Sequence, residues 1–198
     1  MPEKIMNDIL AIATLMFWPL IPLFWIPVHM ATGLFRRLGL FAYLLPSVTW
    51  VPVAFLIYGN RAFLLQSRVD LPLALNVSGY PLFVIGISLH IWTAILLGGL
   101  GIIGVPEIFS KIRSDLVRKG PFSVVRHPTY LAHMLIFTGV FLVTEVSAVG
   151  VVAVVDFIVV NTIIIPFEEK ELLSRFGTEY ELYKKQVPAR FFPRVFRR

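Results

Sequence analysis

The chain has 198 residues, of which 57% are apolar or aromatic and only 15% charged, against roughly 25% charged in soluble domains. Seventeen Phe and four Trp exceed what a soluble core of this length buries, which excludes a small soluble enzyme, a disordered chain and a water-exposed nucleic-acid binder; the net charge of +6 speaks of membrane topology and anionic headgroups. With no Cys there is no disulfide framework, no thiolate nucleophile and no zinc ribbon, and the composition is that of an integral membrane protein.

A span takes about 20 mostly apolar residues. Residues 9–35 run without an Asp, Glu, Lys or Arg, and so do 38–60 and 71–106. The first run is too long for the apolar core of a cleaved signal and has no A-x-A-like exit, so it is expected to be retained. Prolines at 19, 22, 27, 46 and 52 predict kinks or unwinding in the first two helices. A third helix is placed over about 78–103, ending in Gly98-Gly99-Leu100-Gly101. Residues 128–167, broken only by Glu145 and Asp156, suit two short helices with a turn near 145–150. The expected fold is therefore all-α: five transmembrane helices plus a C-terminal amphipathic cytoplasmic helix. They form one membrane domain over 1–198, with three spans in 1–106 and a loop, helical hairpin and tail in 107–198.

Basic residues orient this arrangement. Five spans put 15 of the 18 Lys and Arg on one side, from Arg36 and Arg37 through the loop to the tail, and leave Lys4, Arg61 and Arg68 on the other. The positive-inside rule then places the loop 104–127 and the C-terminus in the cytoplasm, with the N-terminus outside. In the tail, Leu172, Phe176, Tyr180 and Tyr183 recur at spacings of one helical face, and Pro188 and Pro193 stop the helix. Such a helix folds back on the membrane surface or across the mouth of the bundle; simple anchoring is the plainer alternative.

Chemistry concentrates near residues 116–130. Pro128 suits the first turn of the fourth helix, with His127 at its cap and Tyr130 roughly one turn on. A helix N-terminus beside Arg126 and His127 favours an anionic group, although a basic juxtamembrane segment with an interfacial tyrosine fits equally. Glu168 and Glu169 leave the last span on the same side, where one of them could meet a ligand cation or merely pair along the tail helix. A hairpin of the last two spans would return Glu168 to the level of Tyr130, which suits a zwitterionic ligand with a further positive charge. Gly99-x-Gly101-x-x-Gly104 matches a dinucleotide fingerprint in letters, but no strand precedes it, so helix packing or a helix terminus explains it better. Asp156 lies mid-span, where an ionisable group is costly; it is either functional or paired to a neighbouring helix, with His133 a candidate partner. His29 and His90 read as packing or interfacial residues, without metal-ligand spacing.

The Gly120-Pro121-Phe122 and Arg126-His127-Pro128-Thr129-Tyr130 blocks resemble the loop of isoprenylcysteine carboxyl methyltransferases. Glu168-Glu169 followed by Leu172, Phe176-Gly177, Tyr180, Tyr183 and Val187-Pro188 resembles that family's C-terminal signature. The resemblance covers roughly residues 100–190 and extends more weakly to phospholipid methyltransferases and sterol reductases. It implies an S-adenosylmethionine-dependent membrane enzyme that releases S-adenosylhomocysteine. Carried over by position, Glu107, Ser114, Asp115, Leu116, Val117, Phe122, Arg126, His127, Pro128, Thr129, Tyr130 and Glu168 would line the cofactor pocket, with the cofactor carboxylate near His127 and Arg126 and its ammonium or ribose near Glu168. Arg190 would be the catalytic carboxylate partner of the acceptor. Phe122 stands in place of the family's Gly-x-Tyr tyrosine, Ala132 in place of a common glycine, and Ile164 where animal members place an arginine.

The expected activity is carboxyl O-methylation of a prenylcysteine-like or other isoprenoid or lipid acceptor arriving from the bilayer as a small molecule or prenylated peptide. Alternatives are a phospholipid N-methyltransferase, a nicotinamide-dependent membrane reductase and a non-catalytic membrane protein. No metal and no nucleic acid is expected.

Overall fold

Proline and glycine punctuate the N-terminal half of the chain, and the computed structural model, which describes residues 2–109 and 115–192, shows where. Helix α1 (Pro2–Phe17) stops before Pro19, and α2 (Leu20–Met30) resumes the same apolar stretch. Helix α3 (Thr32–Leu38), a 3-10 turn at Gly39–Tyr43 and α4 (Leu44–Gly59) make the second stretch, and α5 (Arg61–Gln66) follows. Of the prolines expected to kink or unwind these helices, Pro19 falls at a break, while Pro27 and Pro52 sit inside helices; the turn at Gly39 was not expected.

Helix α6 (Leu73–Ile102) starts earlier than the 78–103 expected from sequence, directly after Pro72, and α7 (Val105–Ile108) follows it. Its glycine run is a kink: Gly98 has φ 74° and ψ 161°, and a Cβ added at Gly98 or Gly99 would meet nothing within 4 Å. Close packing uses other glycines. A Cβ on Gly139 would sit 2.6 Å from the Phe83 nitrogen, and one on Gly79 would sit 2.8 Å from the Gly139 carbonyl. Helix α6 therefore lies backbone to backbone against α8 (Pro128–Thr144).

Glu145 closes α8 in the left-handed region at φ 58°, and α9 (Ser147–Val159) begins two residues later, a tighter hairpin turn than 145–150. A π-helical segment, Val160–Ile164, joins α9 to α10 (Ile165–Phe176). Gly177, at φ 53° and ψ −128°, separates α10 from α11 (Thr178–Gln186). The tail is thus two helices, the first continuous with the last span.

Among the described residues, four helical stretches are long and apolar enough to cross a membrane: Glu3–Met30, Thr32–Gly59, Leu73–Gly101 and Ser147–Phe176; the shorter α8 is apolar as well. Large apolar side chains such as Phe55, Leu73 and Ile95 point outward, as a lipid solvent permits. The protein is an integral membrane protein, all-helical among the described residues.

Polar groups mark two ends of the bundle. At one, Arg68 pairs with Asp8 and donates to the Thr144 carbonyl at 2.6 Å, while the Val69 N–H reaches the Glu145 carbonyl at 2.8 Å. At the other, Arg36 and Arg175 flank Glu171, close to Glu168 and Glu169. Between them, the Trp18 indole donates to Asp156 at 3.0 Å. That indole, not His133, is the partner of Asp156; the His133 ring lies tilted against that of His90, centroids 5.0 Å apart.

Candidate functional site

A cavity of about 290 Å³ opens where α8, α10 and α11 meet the loop before α8, near the lower end of small-molecule pockets, roughly 300–1,000 Å³. Pro128 starts α8 at its first turn, where no N–H is missed. Gly120, at φ 60°, begins a 3-10 turn, Gly120–Ser123, and presses the loop against α6: a Cβ there would lie 2.9 Å from Leu96. Tyr183 pins this turn from α11 by donating to the Phe122 carbonyl at 2.8 Å.

The chain after α11 straps the entrance to α8. The N–H groups of Arg126 and His127 donate to the carbonyls of Ala189 and Arg190 at 2.9 and 3.1 Å, and the Arg126 Nη1 donates to the Val187 carbonyl at 2.8 Å. Glu169 gathers the cations beneath the strap. Its Oε1 accepts from Arg126 Nε at 3.0 Å and lies 3.2 Å from His127 Nε2; its Oε2 accepts from Lys184 at 3.2 Å.

His127 lies between two acids, with Nδ1 3.6 Å from Glu168 Oε2. Burial alone would lower its pKa, but hydrogen bonding and charge from Glu168 and Glu169 outweigh this and hold the imidazole above its ordinary 6.5. Glu168 Oε2 is itself buried beside His127, its carboxylate also interacts with Tyr130, and it lies on the cavity wall. The site can thus offer an acid to a cationic or hydroxyl group, beside an imidazole that holds its proton more tightly than usual and a helix N-terminus that suits an anion.

Of the residues expected from sequence, Asp115, Leu116, Val117, Phe122, Arg126, His127, Thr129, Tyr130 and Glu168 line this cavity. Pro128 is buried between two of them. Ser114 lies outside the described residues, as does the side chain of Glu107. Arg126, expected to face an anionic ligand, spends its guanidinium on Glu169 and Val187. Arg190 is not on the wall: its guanidinium donates to Asn161 Oδ1 at 3.2 Å and approaches Glu169 Oε2 at 3.9 Å.

The wall also holds residues that sequence reasoning did not place there. Leu172, Phe176, Tyr180 and Tyr183, grouped as a tail face, line the cavity together; their common face was the signal, and what it faced was not. Trp25 comes from α2, His90 and Leu97 from α6, and His133 from α8. His133 was within reach, three residues past Tyr130 on the same helix. The hub role of Glu169 left no mark that distinguished it from its neighbours.

Fold and site together define a helical membrane protein with a mixed acid, imidazole and aromatic cavity at the end of a helical hairpin. The chain belongs to the phospholipid methyltransferase family, which matches residues 75–179, just over half of its length. It is 30% identical over 148 residues to the cobalt-zinc-cadmium resistance protein CzcN of Cupriavidus metallidurans, covering 75% of this chain and 61% of that protein. It is 29% identical to the methanethiol S-methyltransferase of Crocosphaera subtropica, over 55% of this chain and 44% of that protein. With protein-S-isoprenylcysteine O-methyltransferase B of Arabidopsis thaliana it shares 30% identity over 49% of each chain, which bears out the resemblance to that family. The chain spans about half the length of these relatives.

Proposed function

We propose that this protein is an S-adenosylmethionine-dependent membrane methyltransferase for a lipophilic acceptor. The observation that carries this reading is the buried Glu168 carboxylate, 3.6 Å from His127 Nδ1, on a cavity wall it shares with that imidazole and several aromatic rings. That wall matches a zwitterionic nucleoside. Glu168 would take the cofactor's ammonium or ribose hydroxyls, and His127 with the first turn of α8 its carboxylate. Phe122, Phe176 and Tyr180 offer flat faces for the purine. When bound, the cofactor supplies an electrophilic sulfonium methyl group. The protein's part is to hold and align the partners and to exclude water, which the 187–190 strap favours by closing over the loop.

Relatives act on a thiol and on prenylcysteine, by their names, and the family name points to phospholipid. A prenylcysteine or isoprenoid carboxylate remains the acceptor that the loop and tail motifs imply. For such an acid Arg190 would have to exchange Asn161 for the substrate, so Arg190→Ala would slow turnover of an acid acceptor and leave cofactor affinity unchanged. Unchanged turnover would remove Arg190 from the mechanism.

The cofactor site would face the cytoplasm, with five crossings of the membrane. Calorimetric titration of the detergent-purified protein with S-adenosylhomocysteine tests the core of the proposal. Saturable binding is expected, weakened tenfold or more (about 1.4 kcal/mol) by Glu168→Ala and by His127→Ala. Absence of binding to folded wild-type protein would overturn it.

A further inference from the structure

Helix α2 lies ahead of the family-matched segment, yet it reaches the cavity. It packs against α10, the helix of Glu168, and its Trp25 ring is on the cavity wall. One turn on, His29 lies against that ring, with centroids 5.3 Å apart and planes 17° from parallel. His29 is 7% exposed, and both of its ring nitrogens are buried with no hydrogen-bond partner among the described residues. Burying an imidazole without partners is costly, and packing on Trp25 alone would be served as well by a phenyl ring. The charged groups within electrostatic reach of His29 are Glu168, Arg175 and His127. Glu168 is the acid among them, and Arg175 is paired with Glu171.

We propose that His29 is a positioning residue for the Glu168 carboxylate, donating an N–H toward it across a bridging water and so keeping it turned to the ligand's cation or hydroxyl. The proposal rests on the methyltransferase reading above and adds a residue from the N-terminal half of the chain to that same site. His127 and Tyr130 meet Glu168 from the start of α8. A donor on α2 braces the carboxylate from a second element, as a preorganised site requires. A neutral imidazole carries one N–H, so the role needs no charge on His29. A water that bridges two polar groups is nearly as good as a direct hydrogen bond, and a carboxylate ordered before the ligand arrives lowers the cost of binding it.

The test is a double-mutant cycle on S-adenosylhomocysteine affinity, measured by calorimetry on the detergent-purified chain, with Tm as the check on folding. His29→Phe keeps a ring on Trp25 and removes both nitrogens. His29→Asn and His29→Gln carry an amide N–H toward the places of Nδ1 and Nε2. His29→Phe should weaken binding about fivefold or more, and the better of the two amides should bind within about twofold of wild type. In a Glu168→Gln background, His29→Phe should change affinity by less than about twofold, because the carboxylate it acts through is gone.

A packing role predicts the reverse: Phe tolerated, both amides impaired, and equal losses in the two backgrounds. Unchanged affinity in His29→Phe would overturn the proposal, as would failure of both amides to restore binding, or equal losses with and without the Glu168 carboxylate. Wild-type binding that Glu168→Gln leaves unaltered would overturn it too, with the methyltransferase reading left standing. A folded wild type that does not bind S-adenosylhomocysteine would overturn both.

Discussion

Glu169 and His127 together determine whether the loop, the last helix and the tail stay in one place. Arg126 and Glu169 have side chains only 7% and 10% exposed, so their pairing is largely desolvated. Removing one partner of such a pair leaves a charge without compensation, which costs about 3–5 kcal/mol. Glu169→Ala is therefore expected to lower Tm strongly in detergent, and Glu169→Gln, which keeps an acceptor oxygen, less so. An unaltered Tm in Glu169→Ala would refute the hub. His127 adds a pH dependence. Its folded-state pKa lies above 6.5 because of the two acids, so the folded protein holds this proton more tightly than the unfolded chain. The stabilisation is complete below pH 6.5 and is lost as pH rises through the raised value. Melting across that range should show Tm falling toward alkaline pH, with a flatter profile in His127→Gln. Much at this scale was legible, because an Arg-His-Pro block and an acid pair each carry a recognisable charge pattern. Which acid takes the cations and which faces the cavity was not legible, since adjacent residues on a helix differ by about 100° in direction and only the fold fixes the angle.

Helix spans announce themselves by length and apolar composition, and the main helices fall close to where the uncharged runs lie. Their contacts are less visible. The run Gly98-Gly99-Leu100-Gly101 drew notice because it is dense, yet its backbone turns at Gly98, and Gly98 and Gly99 face open space. The isolated Gly79 and Gly139 instead let α6 and α8 meet backbone to backbone. Glycine in a membrane helix carries the same letter whether it kinks or packs, and only the neighbouring helix decides. The contrast can be measured. Gly139→Leu forces a side chain into a gap where even Cβ would sit 2.6 Å from backbone nitrogen, and should cost at least the 1–3 kcal/mol typical of overpacking. Gly99→Ala, with open space around it, should melt within about 0.5 kcal/mol of wild type. Similar losses in both would mean that α6 and α8 are not in close contact. The tail escaped sequence reading for a related reason: its apolar face continues in register across Gly177, so the break is hidden by the periodicity that suggested a single helix.

For the molecule as a whole the open quantity is the number of crossings, and α8 decides it. Its 17 residues reach about 25 Å at 1.5 Å per residue, slightly short of a hydrocarbon core of about 30 Å. Yet its two ends meet different sets of polar groups. His127 joins Glu168 and Glu169, which lie near Arg36 and its partner Glu171, whereas the Thr144 and Glu145 carbonyls take donors from Arg68 and Val69, beside Asp8 near the N-terminus. If the helices carrying those groups cross the bilayer, α8 crosses with them, giving five spans and termini on opposite sides. The basic residues then fall 15 to 3 between the two faces, and the larger share belongs in the cytoplasm. Reporters active on only one side of the membrane should place a C-terminal fusion in the cytoplasm. A fusion at Arg68, between α5 and α6, should report the opposite side. A C-terminal fusion active outside would reverse the orientation and move the Glu168 cavity away from the cytoplasmic cofactor supply. Both fusions reporting the same side would mean an even number of crossings after Arg68, with α6 and α9 crossing and the short α8 not.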